Sequence, residues 1–395
     1  MNRERFPGLA DGWVRLDGPG GTQMVDAAID AMTDWMRSGR TANEGGAFPH
    51  ARDSAQVVED ARAAVARMLG ADARGVAFGP SMTALTMAFS AAVGRTLRPG
   101  DEIVCTRLDH DANVRPWLIA AERAGARVRF AEPEPDTLEL PASAVEAVLS
   151  NRTRWIAVTA ASNAVGTVPE LPAIVAAARR IGARVYVDAV HASPHRPHSV
   201  AELDVDALAC SAYKWFGPHI GILCARPELL EELTPDKLRP SSDGVPERWE
   251  LGTLPFEALA GVRAAADYVT SLCWDEVRVH EDALLAAARD GLAEIGGVTL
   301  YGNARDRTPT VMFNLVGMHA SAVAAALAER EIAVWDGNYY AWELERHLGL
   351  VPHGAVRAGF VHYNDESDAR RLVEAVRELA ARPVASGPAS QETPA

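Results

Sequence analysis

The chain reads as an α/β protein: a large, mostly parallel sheet covered by helices on both faces, followed by a smaller α+β domain. Three observations predict this. Short apolar runs alternate with amphipathic helical patterns over most of the chain, the pattern of a layered α/β fold. Those runs hold consecutive apolar residues rather than one at every second position, as in strands buried on both faces. After about residue 255 the alternation gives way to a long helical stretch and a few separated strand-like runs.

Taken in order, a helix is expected from Met24 to Trp35, because Val25, Ile29 and Met32 recur at helical spacing. A second amphipathic stretch runs from Ala55 to Leu69. Strand-like runs follow at Gly75–Phe78, Glu102–Cys105, Trp155–Thr159, Arg184–Val187 and Ala207–Cys210. Several of them end in polar residues, and ligands of open α/β sheets bind beyond the carboxyl ends of the strands. The later part holds a helical stretch from Phe256 to Leu272, strand-like runs at Val298–Leu300, Thr310–Leu315 and Val356–Tyr363, a helix near Ala320–Arg330 and a last helix from Asp365 to Ala381. The expected division is an N-terminal segment 1–20 packing on the small domain, a large domain 21–255, a linking helix with the small domain 256–382, and a disordered tail 383–395 rich in Pro, Ser and Ala.

Composition is ordinary for a globular protein, 48% hydrophobic and 23% charged. With 39 basic against 53 acidic residues the net charge is −14, which argues against a general nucleic-acid binder. The four cysteines form no CxxC pair, and in a chain of this length they read as buried thiols in a reducing compartment. The N-terminus lacks the apolar core of a signal peptide, and no apolar run reaches membrane-spanning length. A cytoplasmic protein with neither nucleic acid nor membrane as partner is expected.

Three motifs carry chemistry. In Asp206-Ala-Leu-Ala-Cys-Ser-Ala-Tyr-Lys-Trp-Phe-Gly-Pro218 a lysine, Lys214, stands just beyond an apolar strand. A desolvated lysine has a depressed pKa and forms imines; a surface loop lysine is the plainer reading. In Val185-Tyr-Val-Asp-Ala-Val-His191 an acid, Asp188, ends a buried strand. It needs a partner such as a protonated pyridinium nitrogen, or it caps the next turn. Ser81-Met82-Thr83 lies at a strand-to-helix turn, where hydroxyls and free N–H groups suit a phosphate or make an ordinary helix cap.

In combination the motifs run phosphate turn, imidazole loop, Asn, Asp, Lys. This order resembles the fold-type-I pyridoxal 5′-phosphate (PLP) enzymes, and among them the class V aminotransferase group that includes the cysteine desulfurases. The likeness extends from Leu16-Asp17 to Arg371. It implies PLP as cofactor, with Lys214 as the Schiff-base lysine, Asp188 facing the pyridine nitrogen and His191 at the ring hydroxyl. His110 would stack on the ring, and Asn163 would lie beside both the ring and the substrate carboxylate. Ser211, Tyr213, Met82 and Thr83 would lie at the phosphate. Thr253 would serve the phosphate of the neighbouring subunit, which implies a homodimer with shared active sites. Arg357 matches the arginine that clamps the carboxylate of a small amino-acid substrate.

The sequence also departs from the group. Desulfurases carry a mobile loop cysteine that accepts sulfur, whereas the aligned loop here is Val334-Trp-Asp-Gly-Asn-Tyr-Tyr-Ala341. Tyr213 replaces the His that commonly precedes the lysine. Without an acceptor thiol, the expected reaction is β-elimination by a carbon–sulfur lyase acting on cysteine or a cysteine S-conjugate. Lys214 would move the Cα proton, and Tyr340, or Tyr339, would protonate the leaving group. The alternatives are epimerisation, transamination or oxidative deamination with the same cofactor, or desulfuration through a cysteine elsewhere. His191, His195 and His198 are spaced loosely like metal ligands, but Pro194 and Pro197 interrupt them. A loop is the preferred reading, and no metal is expected.

Overall fold

In a computed structural model, residues 3–381 are described; the expected tail, 383–395, lies outside them. The central sheet has seven strands in the order Val76–Gly79, Gly221–Ala225, Ala207–Ser211, Arg184–Asp188, Thr153–Thr159, Glu102–Thr106 and Arg127–Ala131. Gly221–Ala225 runs antiparallel to both its neighbours. The remaining pairs are parallel. All strands but this one therefore end on the same edge of the sheet.

The inner strands are buried at every position, as in Ala207–Ser211 and Gly221–Ala225. Arg127–Ala131 at the sheet edge instead alternates exposed and half-buried residues before ending buried. Sequence reading did not single out that edge strand or Gly221–Ala225. The first lacks a continuous apolar run, and the second follows the lysine turn with no helix between.

On one face of the sheet pack the helices Asp26–Arg37, Pro49–Met68 and Phe256–Thr270. On the other, Met82–Gly94 and Arg115–Ala124 bury Phe89 and Trp117 against Trp155 and Tyr186. The Phe89 and Tyr186 rings lie 5.2 Å apart. Each such fully buried aromatic contributes about 1.5–3 kcal/mol.

Element ends differ from expectation where caps decide them. The first helix spans Asp26–Arg37. The second begins at Pro49, a residue preorganised for a first turn. The expected stretch Phe256–Leu272 is followed by a second helix, Trp274–Ala293, that sequence reading missed. The two are separated by a break at Ser271–Cys273. Cys273 is exposed, which corrects the expectation that all four thiols are buried; the other three are. The last helix is Glu366–Ala380, fixed by a capping box between Asp365 and Asp368.

The C-terminal part centres on a four-stranded antiparallel sheet, in the order Trp335–Gly337, Ala355–Gly359, Thr310–Leu315 and Val298–Tyr301. Helices Trp274–Ala293, Ala320–Ala328 and Glu366–Ala380 cover it. Val14–Arg15 pairs in parallel with Ile332–Ala333, and the Gly359 N–H donates to the Leu16 carbonyl at 2.9 Å. Val14 and Leu16 are buried in this second core.

Candidate active site

The carboxyl edge of the large sheet, together with strands Trp335–Gly337 and Ala355–Gly359 of the small one, encloses a cavity of about 600 Å³. Met82, Thr83, His110, Asn163, Asp188, His191, Ser211, Tyr213, Lys214, Tyr340 and Arg357 all line it. Thr253 does not; it is exposed on the surface.

Each residue arrives by a short route. Asp188 ends its strand, Ser211 ends the next, and Lys214 closes the single turn Ala212–Lys214 beyond Ser211. His110 begins the turn after strand Glu102–Thr106. Arg357 is the middle residue of Ala355–Gly359.

Ser81 makes the ordinary helix cap, its hydroxyl accepting from the Ala84 N–H at 3.1 Å. The first N–H groups of helix Met82–Gly94 open at the cavity, a site suited to an anion. Gly221 makes that turn possible: a Cβ there would come within 2.1 Å of the Ser81 carbonyl carbon.

Burial governs the electrostatics. Lys214 is 9% exposed and its amine donates to the Pro19 carbonyl. Desolvation, helped by the positive charge of Arg357 and opposed by Asp188, brings its pKa down to about 7. Asp188 is pushed up to about 6 by burial, against the Val190 N–H that it accepts at 2.9 Å and the charge of Lys214. Burial, then Lys214 and Arg357, lower His110 to about 4. Its Nδ1 accepts from the Ala112 N–H at 3.0 Å, so the neutral ring carries its hydrogen on Nε2. His191 is held well below its usual range by burial and by His195. Its Nε2 lies 3.0 Å from the hydroxyls of both Thr308 and Thr310.

Arg357 donates to the Asn163 carbonyl at 2.8 Å and stacks on Tyr339 at 4.3 Å. The Asn163 amide donates to the Tyr339 carbonyl at 2.9 Å. The Tyr339 hydroxyl is spent on the Ala355 carbonyl, whereas Tyr340 is exposed and stacks on His110 at 5.3 Å. Of the two tyrosines, only Tyr340 presents its ring at the mouth.

Trp335 and Asn338, from the expected loop 334–341, also line the cavity, as does Pro352, which sequence reading missed. Sequence reading also missed Asp109, fully buried and accepting from the Asn113 amide at 2.7 Å. An acid directly before His110 was the available signal. His195 pairs with the buried Glu281 at 2.9 Å, a contact to the missed helix that no local pattern announces.

The lining fits PLP. A buried amine, a buried carboxylate at a strand end and a helix N-terminus face one space. The Nε of Arg357 and Oδ1 of Asn163 are buried without a hydrogen-bond partner among the described residues, and buried polar atoms rarely stay so without a ligand.

Comparison with known proteins agrees. The aminotransferase class-V family model matches residues 14–372. The chain is 33% identical, over 95% of its length and 98% of the relative, to an uncharacterized protein of Mycobacterium tuberculosis. It is 33% identical to a cysteine desulfurase of Salmonella agona, over 92% of each chain. The crystal structure of the cysteine desulfurase CsdA from Escherichia coli superposes with a TM-score of 0.86 at 29% identity, covering 96% of this chain and 97% of that one. The chain therefore belongs to the class-V aminotransferase family, enzymes of fold type I that use pyridoxal 5′-phosphate, and within it is similar to the cysteine desulfurases.

Proposed function

We propose that this chain is a carbon–sulfur lyase that eliminates the sulfur substituent of cysteine or a cysteine S-conjugate. The products are a thiol (or sulfide), pyruvate and ammonia, with one water consumed. The observation that carries the reading is that, among the described residues, no cysteine lines the cavity. Cys105 and Cys210 are buried in the sheet, and burial pushes Cys105 well above the usual range and Cys210 up to about 12. Cys224 is buried and shifted in the same direction. Cys273 precedes helix Trp274–Ala293, away from the cavity lining. Sulfur that leaves has no thiolate to accept it.

Lys214, Asp188, His110, His191, Asn163, Ser211, Tyr213, Met82 and Thr83 would hold the cofactor. In a homodimer, Thr253 of the partner subunit would complete the phosphate site. The bound cofactor supplies a ring that accepts the negative charge developing at the substrate Cα.

Arg357 holds the α-carboxylate through its free Nε and so orients the Cα–H bond. The Lys214 amine, with a pKa of about 7, is substantially neutral at physiological pH and takes that proton. Asp188 holds a proton at the ring nitrogen. The Tyr340 hydroxyl at the mouth gives a proton to the departing sulfur.

The test is incubation of the holoenzyme with L-cysteine, S-methyl-L-cysteine and S-benzyl-L-cysteine. Pyruvate and thiol should appear in equal amounts. Alanine together with a persulfide on the protein would replace this reading with desulfuration. Racemised substrate, or a keto acid that retains its sulfur, would replace it with one of the other reactions of the cofactor.

A further inference from the structure

We infer that Trp335 and Tyr340 form a fixed aromatic rim that selects substrates whose sulfur carries a neutral, bulky apolar group, an inference that rests on the elimination reading of the same cavity. Both side chains line the cavity. Yet Trp335 is 49% and Tyr340 70% exposed. Large aromatics left open beside a site mark a surface awaiting a ligand.

Neither ring is loose. The Trp335 indole donates to the Asp17 carbonyl at 3.3 Å. It also lies against Gly20, where a Cβ would come within 2.1 Å of the indole nitrogen. The Tyr340 backbone is held by its N–H to the Asn338 side chain at 2.9 Å and by its carbonyl, which accepts from the Asp111 N–H at 2.7 Å, and its ring stacks on His110 at 5.3 Å. Tyr339 and Tyr340 both have positive φ, 49° and 58°. Such left-handed residues cost about 1–2 kcal/mol each and persist where surrounding contacts impose them. A rim already ordered loses little freedom when a ligand arrives.

Its position relative to Arg357 sets what it touches. Trp335 and Arg357 are directly paired on adjacent antiparallel strands, so their side chains share a face with Cβ atoms roughly 5 Å apart. A substrate anchored by its carboxylate at Arg357 starts beside the indole. Cysteine alone is too short to cover both rings. Asp336 is also among the lining residues, and its negative charge close to the cavity disfavours anionic substituents.

The test uses carbon isosteres, which bear no leaving group, binding to the holoenzyme by calorimetry. L-2-aminobutyrate stands for cysteine, 2-amino-5-phenylpentanoate for an S-benzyl conjugate, and 2-aminoadipate for an S-carboxymethyl conjugate. The phenyl compound should bind roughly tenfold tighter than 2-aminobutyrate, the effect of burying part of one ring, and 2-aminoadipate more weakly than either. Trp335→Ala should remove most of the phenyl advantage with little change for 2-aminobutyrate, Trp335→Phe should keep it, and Tyr340→Asn should also reduce it. Equal affinity for all three compounds, or variants that weaken all three alike, would overturn the rim. Binding needs no turnover, so phenyl preference without pyruvate from S-benzyl-L-cysteine would leave the rim standing and remove the elimination reading.

Discussion

Asn163 and Arg357 meet across the two sheets: the guanidinium donates to the Asn163 carbonyl at 2.8 Å, while the Asn163 amide holds the Tyr339 carbonyl at 2.9 Å. One loop residue of the large domain thus steadies both the proposed carboxylate clamp and the loop that carries Tyr340. Asn163→Ala removes the amide contact and leaves the Tyr339 carbonyl without that donor, a cost of about 1–3 kcal/mol. The expected result is a rise in KM together with a fall in kcat of roughly tenfold or more, read by steady-state kinetics. A change confined to thermal stability would refute the coupling.

Lys214 makes a prediction about pH. Its folded pKa, about 7, lies below the ordinary 10.5. Between those values the unfolded chain binds more protons, so the stability of cofactor-stripped protein rises with pH across that window. Melting temperature should climb from about pH 6.5 to about pH 9. Lys214→Met should flatten this dependence and be more stable at the acid end by roughly 2–4 kcal/mol. The same variant should lose the visible absorption of bound cofactor and all turnover.

Glu345 offers a second, opposite window. It is fully buried, and neither carboxylate oxygen has a partner among the described residues. Burial lifts its pKa to about 7, and its charge acts on Tyr339. The folded pKa exceeds the ordinary 4.5, so stability falls as pH rises from there through 7. Glu345→Gln should melt higher than the parent above neutral pH, by on the order of 1–3 kcal/mol. The difference should vanish in acid below the ordinary carboxylate range, and a constant offset at every pH would count against this assignment.

Gly221→Ala tests the anion turn. The added methyl meets the Ser81 backbone and the Met82 nitrogen, 2.4 Å away, and backbone cannot swing aside as a side-chain tip does. Overpacking of this kind costs about 1–3 kcal/mol. It should also weaken PLP retention, followed by dialysis and absorbance. Unchanged retention would show that the turn does not hold the phosphate.

The strands carrying Asp188 and Ser211 were legible because burial on both faces demands an unbroken apolar run, and the polar residue ending each run marks the ligand edge. Arg127–Ala131 escaped notice because an edge strand alternates with solvent. Trp274–Ala293 escaped because its buried positions, among them Val277, Glu281, Leu284 and Leu285, include a charged residue that only its pairing with His195 makes tolerable.

What the sequence by itself determined is the order of chemistry along the chain: turn, imidazole, amide, acid and amine, each at the end of a recognisable element, and a loop between residues 334 and 341 with no thiol. Only the tertiary structure decided which of these share a cavity, that Tyr339 spends its hydroxyl on Ala355, that Trp335 stands beside Arg357, and that Cys273 is exposed. The reason is physical. Element type follows from local periodicity, whereas desolvation and partner choice depend on neighbours brought together from distant parts of the chain. A lysine is only a lysine until Pro19, Asp188 and Arg357 surround it.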